Sequence, residues 1–313
     1  MAHTEVALQK GDLISFRVLQ VTPQYVLKIV EWSQQWALGS SDYGKFGDLN
    51  GFPYKSLVDL LRSWMPWDGG RIQEDCPKHL LNLCRFFQGM TLDPAEKNGA
   101  EVLKKALQNS GLFLEGKLGS ALRKAKGPVQ IQHLPRGDLK GALLASSANL
   151  QDGDALGLEG IRKCLEGLEQ LQILNASAVE DKGKCLFVVP LRCNGQWNFA
   201  QLLVDLSDDK DDGKQGGNKT YSIRLLLDMS SLGRVHVEAS IHEKALKIDF
   251  LVGEKEVRER LEGGKAYLAR ALETSGFTVQ SITCRCADKE TPVPPSLVDE
   301  LLDREKHHIS LVV

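Results

Sequence analysis

The chain has 313 residues, and its 39 Lys and Arg residues nearly balance 41 Asp and Glu residues, which leaves a net charge of −2. Hydrophobic residues make up 42% and charged residues 26%, the composition of a soluble globular protein of about two domains. A charge balance this close to neutral disfavours proteins that bind nucleic acid or a membrane surface through a basic field.

The N-terminal sequence MAHTEVALQKGDLISF lacks the basic and then apolar pattern of a signal peptide. No apolar run approaches the ~18 residues that are needed to cross a bilayer. We therefore expect a cytoplasmic protein without membrane insertion. The seven cysteines are scattered and odd in number, so we expect reduced thiols instead of a disulfide framework.

Residues 1–54 predict a small β hairpin or part of a barrel. GDLISFRVLQ and QYVLKIVEW have the residue types and alternation of strands, and a Thr22-Pro23 turn separates them.

Residues 55–179 predict a helical region, because apolar residues such as Leu57, Leu60 and Leu61 recur at helical spacing. Prolines divide this region into four or five short helices, since proline disrupts a helix interior. The last of them is predicted from Gly157 to Asn175.

Residues 180–290 predict an α+β domain. An Asn194-Gly195 turn joins two strands in a hairpin, and the polar loop Ser207–Lys219 follows it. SIRLLLDM, GRVHVEASI and ALKIDFLV then form an antiparallel three-strand meander with one wet face. One long helix, Glu254–Ser275, covers the dry face, with Gly276 and Phe277 as its predicted C-cap. TVQSITCRC then returns as a further strand. Residues 291–313 form a Pro-rich linker and tail with a short helix.

The sequence contains cysteines, histidines and carboxylates, but their spacing does not form a recognisable catalytic or metal site. Cys284 and Cys286 lie two apart on a strand without the further ligands of a metal site, and His236, Glu238 and His242 fit a hydrated sheet surface better than a metal site or an acid-base cluster. We therefore predict no catalytic residue, no cofactor and no metal. Tryptophans cluster towards the N-terminus and fit the core better than a ligand-stacking site: Trp32, Trp36, Trp64 and Trp67.

Residues of about 183–285 resemble the C-terminal domain of the flagellar hook-length control protein family. Three pieces carry the resemblance, in order: FVVPLRCNGQWNFAQLLVDL; LLLDMSSLGRVHVEASI with ALKIDFLV; and EVRERLEGGKAYLARALETSGF with TVQSITCR. Upstream, ALQNSGLFLEGKL is similar to a segment that precedes this domain in many such chains.

The resemblance implies a non-enzymatic protein that binds the cytoplasmic domain of the flagellar export-gate switch protein and helps to switch export substrate specificity. Hook and hook-cap proteins are further partners on this view, and export of the chain through the flagellar type III apparatus is an open possibility. The best-known members carry a disordered ruler segment rich in Pro, Ser, Ala and Gln. The first 180 residues here have periodic apolar stripes instead, so length measurement is not implied.

A strand edge and an apolar tail can each join a partner, by strand addition or by helix docking. We therefore predict that the partner surface consists of residues near the start of GRVHVEASI and of leucines in the tail: Leu232, Gly233, Val235, Val237, Leu297, Leu301 and Leu302. Two alternatives remain at this point: an interaction or scaffold protein that reuses the domain outside flagella, and a thiol- or metal-dependent enzyme.

Overall fold

The computed structural model describes residues 14–20, 26–32, 53–62, 64–65, 72–93, 99–124, 137–149, 155–193, 196–206, 220–229, 232–288 and 291–301. Its contacts form two compact units, Met1–Leu49 and Asn50–Val313. The first unit contains β1 (Ile14–Gln20) paired antiparallel with β2 (Val26–Trp32), which confirms the predicted strands. The Thr22-Pro23 turn lies outside the described residues.

The helical region of the second unit has six helices within the described residues, not four or five. They are α1 (Lys55–Leu61), α2 (Lys78–Met90), α3 (Gly99–Gln108), α4 (Leu114–Lys124), α5 (Leu139–Ala148) and α6 (Ala155–Lys182). Helix α6 runs past the predicted end at Asn175 and across the predicted domain boundary at residues 179 and 180, and that boundary stays a prediction.

The additional helix arises from a break at Ser110 and Gly111, where no proline is present. The Ser110 hydroxyl donates to the carbonyl of Leu107 at 3.0 Å and accepts from the amide of Leu112 at 3.4 Å. Gly111 has φ +93°, a left-handed conformation that favours glycine. The serine side chain therefore satisfies the backbone groups that the helix would have paired, and α3 ends before α4 begins.

A partly buried polar network joins α4, α5 and α6. The Asp138 carboxylate caps α5 by accepting from the amide of Lys140 at 3.1 Å, and it also accepts from Lys117 Nζ at 2.9 Å. The Lys140 ammonium donates to Glu115 at 2.6 Å and to Gln172 at 2.9 Å. Burial raises the pKa of Asp138, while Lys117 acts in the opposite direction. These contacts fix the relative positions of the three helices.

The C-terminal half contains one six-stranded sheet in the order β3-β4-β5-β6-β7-β8 within the described residues. The strands are β3 (Lys184–Cys193), β4 (Gln196–Asp205), β5 (Thr220–Met229), β6 (Gly233–His242), β7 (Ala245–Val252) and β8 (Thr278–Cys286), with α7 (Lys255–Thr274) before β8 and α8 (Val298–Leu301) after it. The predicted α+β class, hairpin, meander and covering helix are confirmed.

One strand pair departs from the predicted antiparallel arrangement, because β8 runs parallel to β7. Helix α7 connects the two strands and carries the chain back along the sheet, so β8 starts at the same end as β7. The helix ends in a Schellman motif, in which the amides of Gly276 and Phe277 donate to the carbonyls of Glu273 and Leu272. Gly276 has φ +92°, which confirms the predicted C-cap.

The outer edge of β3 is closed by side-chain and loop contacts. The Asn175 amide on α6 donates to the carbonyl of Leu186 at 2.8 Å, and its oxygen accepts from the amide of Leu186 at 2.7 Å. Farther along the edge, Leu92 exchanges backbone hydrogen bonds with Pro190 and Arg192. These contacts satisfy edge groups that would otherwise be available to another strand, and they connect the helices to the sheet.

Replacing Asn175 by alanine should destabilise the protein by about 2–4 kcal/mol, because a buried amide and a buried carbonyl of Leu186 would both lose their partners. Chemical denaturation checks this value. Ser177→Ala is the matched control, since Ser177 is exposed on the same helix and its loss should change the free energy of unfolding by less than about 0.5 kcal/mol. Equal midpoints for the two variants would contradict the assigned role of Asn175.

Candidate functional site

The strand register divides the sheet into an apolar face and a mixed face. On the apolar face, Leu202 lies opposite Leu225, and Leu225 lies opposite Val237. The neighbouring row on the same face is equally apolar: Val204, Ile223, Ala239, Ile248 and Ile282. Since side chains alternate along each strand, the rows between these two belong to the mixed face.

Helix α7 covers one end of the apolar face. Val235 of β6, Val252 of β7 and Val257 of α7 form a buried cluster, against which Phe250 and Leu261 pack. The same cluster holds half-buried Leu227, Leu232 and Val237 at its border. Beyond Val257, the leucines of α7 remain half-buried, so the helix lies on β7 and β8 as a narrow cover.

The helical region covers the opposite end of the apolar face. The ring of Phe113, just before α4, lies 5.9 Å from the ring of Phe187 on β3, measured between centroids. Val189 of β3 and Ala200 of β4 are 2% and 3% exposed, which places them in the core. Two covers therefore approach the apolar face from opposite edges of the sheet.

A strip of apolar side chains between the two covers keeps part of its surface in contact with solvent. Six strands spaced ~4.8 Å apart span roughly 24 Å, whereas one helix is about 10 Å wide. We call these half-buried residues the open strip: Leu202, Val204, Ile223, Leu225, Val237, Ala239 and Ile241. Tyr221, beside Ile241 on the same face, is 39% exposed.

The mixed face is occupied in part by residues 296–301, the segment that includes α8. Gln201 of β4 contacts the start of this segment, and Arg224 of β5 and His236 of β6 contact Glu300 near its end. Leu297 and Leu301 are 0% and 1% exposed. The segment therefore packs against the sheet on the side opposite to the open strip.

The structure separates the predicted partner residues into two groups on opposite faces. Leu232, Val235 and Val237 lie together on the apolar face, where Val235 is buried and the other two are half-buried. Gly233 is exposed at the entry to β6 with φ +64°, a left-handed conformation that favours glycine.

The second group consists of Leu297 and Leu301, which are buried on the mixed face, and Leu302, which lies outside the described residues. Contact with a partner through this buried pair would require the 296–301 segment to leave the sheet. The partner role of both groups stays a prediction.

His236 was predicted on a wet face, and that prediction is wrong at this position. The 296–301 segment covers the side chain, which is 13% exposed, and Glu300 Oε1 lies 3.8 Å from His236 Nε2. Burial lowers the pKa of the His236 imidazole, and nearby Glu238 acts in the opposite direction. His242, by contrast, is exposed and pairs with Thr220 at 3.2 Å.

Metal-binding and membrane-spanning features are absent from the described part of the chain. No three His, Cys, Asp or Glu side chains among those residues are grouped so that they could hold a metal ion. Within the same ranges, no helix combines the length and apolar character needed to span a bilayer.

All seven cysteines lie within the described residues, and each is a free thiol that is buried or half-buried. Burial raises the pKa of Cys84 to about 12 and that of Cys185 to about 11, and it also raises the pKa of Cys164. Cys284 and Cys286 point to the apolar face, as alternation from Ile282 requires. Raised pKa values suppress the thiolate form that nucleophilic or metal-binding cysteines need.

An aromatic cluster joins the helical region to the mixed face, and sequence analysis did not identify it. The ring centroid of Phe87 lies 5.2 Å from that of Trp197, and Tyr54 lies 5.9 Å from Phe87 and 6.1 Å from Phe199. Trp64 is half-buried. Trp36 and Trp67, and the side chain of Trp32, lie outside the described residues, so the predicted tryptophan grouping is untested.

Part of the C-terminal region matches a known protein family. Residues 210–292 match the model of the family described as flagellar hook-length control protein FliK. The match contains β5 to β8 and α7, and it confirms the resemblance recognised in this region. The hairpin of β3 and β4 precedes the matched residues. No curated protein and no solved structure matches the chain.

The hook-length control match indicates a flagellar hook-length control-like role. The match covers only part of the open strip: Ile223, Leu225 and Ile241 lie inside the matched residues, whereas Leu202 and Val204 lie before them.

Sequence analysis also did not identify Gln201 as a contact on the mixed face. The signal that could have revealed it is an isolated glutamine inside the apolar strand QLLVDL.

Native protein at pH 8 should react with iodoacetamide at Cys84 and Cys164 more than about a hundredfold more slowly than the denatured protein, because both side chains are 0% exposed and burial raises both pKa values. Peptide mass spectrometry of labelled samples measures the rates at each cysteine. Comparable labelling rates in the native and denatured states would contradict this result and support a reactive-thiol function.

Proposed function

We propose that the chain binds the cytoplasmic domain of the flagellar export-gate switch protein and helps to switch export substrate specificity during hook assembly. One observation carries the proposal: the part of the chain that matches the hook-length control family contains most of a partly exposed apolar strip on the sheet. The strip is the surface that we assign to this contact.

The chemistry of the open strip suits a protein partner. Its side chains are aliphatic in two adjacent rows, and contiguous apolar surface of this kind marks binding sites on soluble proteins. The net charge of −2 gives little long-range attraction for a charged ligand, so shape and apolar contact would supply most of the affinity.

Of the predicted residues, Val237 belongs to the open strip and Leu232 lies beside it. Both pack against the cluster formed by Val235, Val252 and Val257, so they connect the strip to the rigid base of α7. A partner that docks on Leu225 would reach Val237 directly, because these two residues are opposite each other on adjacent strands. Gly233 is the first residue of β6, so no side chain is present at that position near the proposed contact.

The proposal is for a non-enzymatic protein that acts in the cytoplasm, with hook and hook-cap proteins as further partners. It does not include length measurement by an extended segment, because the described parts of residues 55–182 form packed helices. Leu57, Leu83 and Leu168 are fully buried in that region, which supports a folded accessory region beside the sheet.

Leu225→Asp should weaken binding of the full chain to the export-gate cytoplasmic domain at least about tenfold, because a carboxylate would have to be desolvated in the centre of the contact. Tyr221→Asp is a second test at a more exposed position of the same face. Isothermal titration calorimetry measures both dissociation constants, and a thermal melt shows that each variant is folded.

Lys247→Asp is the matched control, since it places the same carboxylate at an exposed position on the mixed face. It should bind like the unmodified chain. If the unmodified chain does not bind the export-gate domain, the proposal is wrong and an interaction role outside flagellar assembly becomes the better account. If all three variants lost the same affinity, the open strip would not be the contact surface.

A further inference from the structure

The 296–301 segment is held on the mixed face by groups from three different strands. Gln201 comes from β4, Arg224 from β5 and His236 from β6, and all three side chains meet the same short stretch of chain. The stretch has the sequence Ser-Leu-Val-Asp-Glu-Leu. Such convergence resembles the way a protein surface recognises a bound peptide.

Gln201 recognises the start of the segment. Its side-chain oxygen accepts from the amide of Leu297 at 2.8 Å and from the hydroxyl of Ser296 at 3.1 Å. Gln201 is 6% exposed with the segment in place, so release of the segment would break both bonds and return the side-chain amide to solvent. The Ser296 hydroxyl also accepts from the amide of Val298 at 3.1 Å, which holds the segment in its bent conformation.

Glu300 recognises the end of the segment. One carboxylate oxygen lies 3.2 Å from Arg224 Nε, and the other lies 3.8 Å from His236 Nε2. Arg224 also contacts Glu238 at 3.2 Å, so it remains paired if Glu300 leaves. Lys184 Nζ approaches the carbonyl of Glu300 at 3.5 Å. The Arg224 guanidinium is thus the group that matches an acidic side chain electrostatically at this position.

Apolar side chains fill the space between these polar contacts. Leu297, Val298 and Leu301 are at most 4% exposed, and Leu203 and Leu226 of the mixed face are equally buried. Burial of three side chains stabilises the docked segment, but ordering six residues has an opposing cost of similar size.

The sheet has its own core on the other face. Val235, Val252 and Val257 form their cluster on the apolar side, and the backbone pairing of β4 to β7 is continuous along the register without the segment. The mixed face can therefore persist as a surface when it is empty.

We propose that the mixed face is a peptide-binding groove that the chain's own 296–301 segment fills reversibly, and that the groove selects the pattern Ser-Leu-Val-x-Glu-Leu. In the docked state the segment blocks the groove. Release exposes Gln201, Arg224 and His236 to a second peptide with the same pattern. This inference concerns the face opposite to the open strip, and it does not depend on the proposed export-gate contact.

The test uses the full chain with Glu300→Lys, which places a cation beside Arg224. We expect the amide of Leu297 to exchange with deuterium at least about tenfold faster than in the unmodified chain, while amides of β5 and β6 keep their protection. Glu273→Lys is the matched control, because it makes the same substitution at an exposed residue of α7, on the other face of the sheet. Its Leu297 amide should stay protected.

A fluorescein-labelled synthetic peptide, TPVPPSLVDEL, then probes the vacated groove. Fluorescence anisotropy should show binding to the Glu300→Lys chain at least about tenfold tighter than to the unmodified or Glu273→Lys chain, in which the groove is filled. A second peptide with Lys in place of its Glu should not bind. If the Glu300→Lys variant misfolds, the measurement is repeated with Leu297→Ser, which should release the segment because an apolar contact is lost.

Three outcomes would overturn the inference. Loss of protection in β5 and β6 together with Leu297 would make the segment an integral part of the fold. Release of the segment without peptide binding would show that the face is not a groove. Retained protection of Leu297 in both Glu300→Lys and Leu297→Ser would show that these contacts do not hold the segment. None of these measurements includes the export-gate domain.

Discussion

The width of the sheet is the constraint on which the organisation of the second unit depends. Its six strands expose an apolar face far wider than the single helix α7, so the fold needs another cover for that face. The helical region supplies it at β3, and Asn175 fixes the position of α6 through both backbone groups of Leu186. Because neither cover reaches the centre, Leu225 and its neighbours remain partly exposed. The surface that we assign to partner binding is thus a geometric consequence of how the sheet is covered.

The two faces of the sheet differ in what covers them: part of the apolar face is exposed to solvent, whereas part of the mixed face is covered by the 296–301 segment. The apolar face combines a rigid cluster around Val235 with a half-buried strip, and this is the arrangement expected where apolar surface is kept for association. The mixed face carries Gln201 and Arg224, and the chain satisfies both with its own 296–301 segment. Burial raises the pKa of Glu300 in that segment, although Arg224 acts against the rise. The glutamate therefore contributes specificity of position more than stability.

Local sequence signals were sufficient for the class of fold and for most elements. Alternation predicted β5, β6 and β7, and Gly276 with Phe277 marked the end of α7, because these features depend on neighbouring residues. The Ser110-Gly111 break was missed since its cause is a serine hydroxyl and not a proline. The cover on His236 could not be predicted, because Glu300 is distant in sequence and its contact depends on tertiary packing. For the same reason the partly exposed state of Leu225 follows only from the structure.

The role that we propose for the open strip is control of the flagellar hook. Hook length in the organism that encodes the chain tests it most directly, with the native gene replaced by one encoding Leu225→Asp and the hooks measured by electron microscopy. We expect hooks that are longer on average and have a broader length distribution than those of the parent strain, with normal amounts of the variant protein in the cell. Hooks of parental length, made in cells that contain the folded variant, would contradict it.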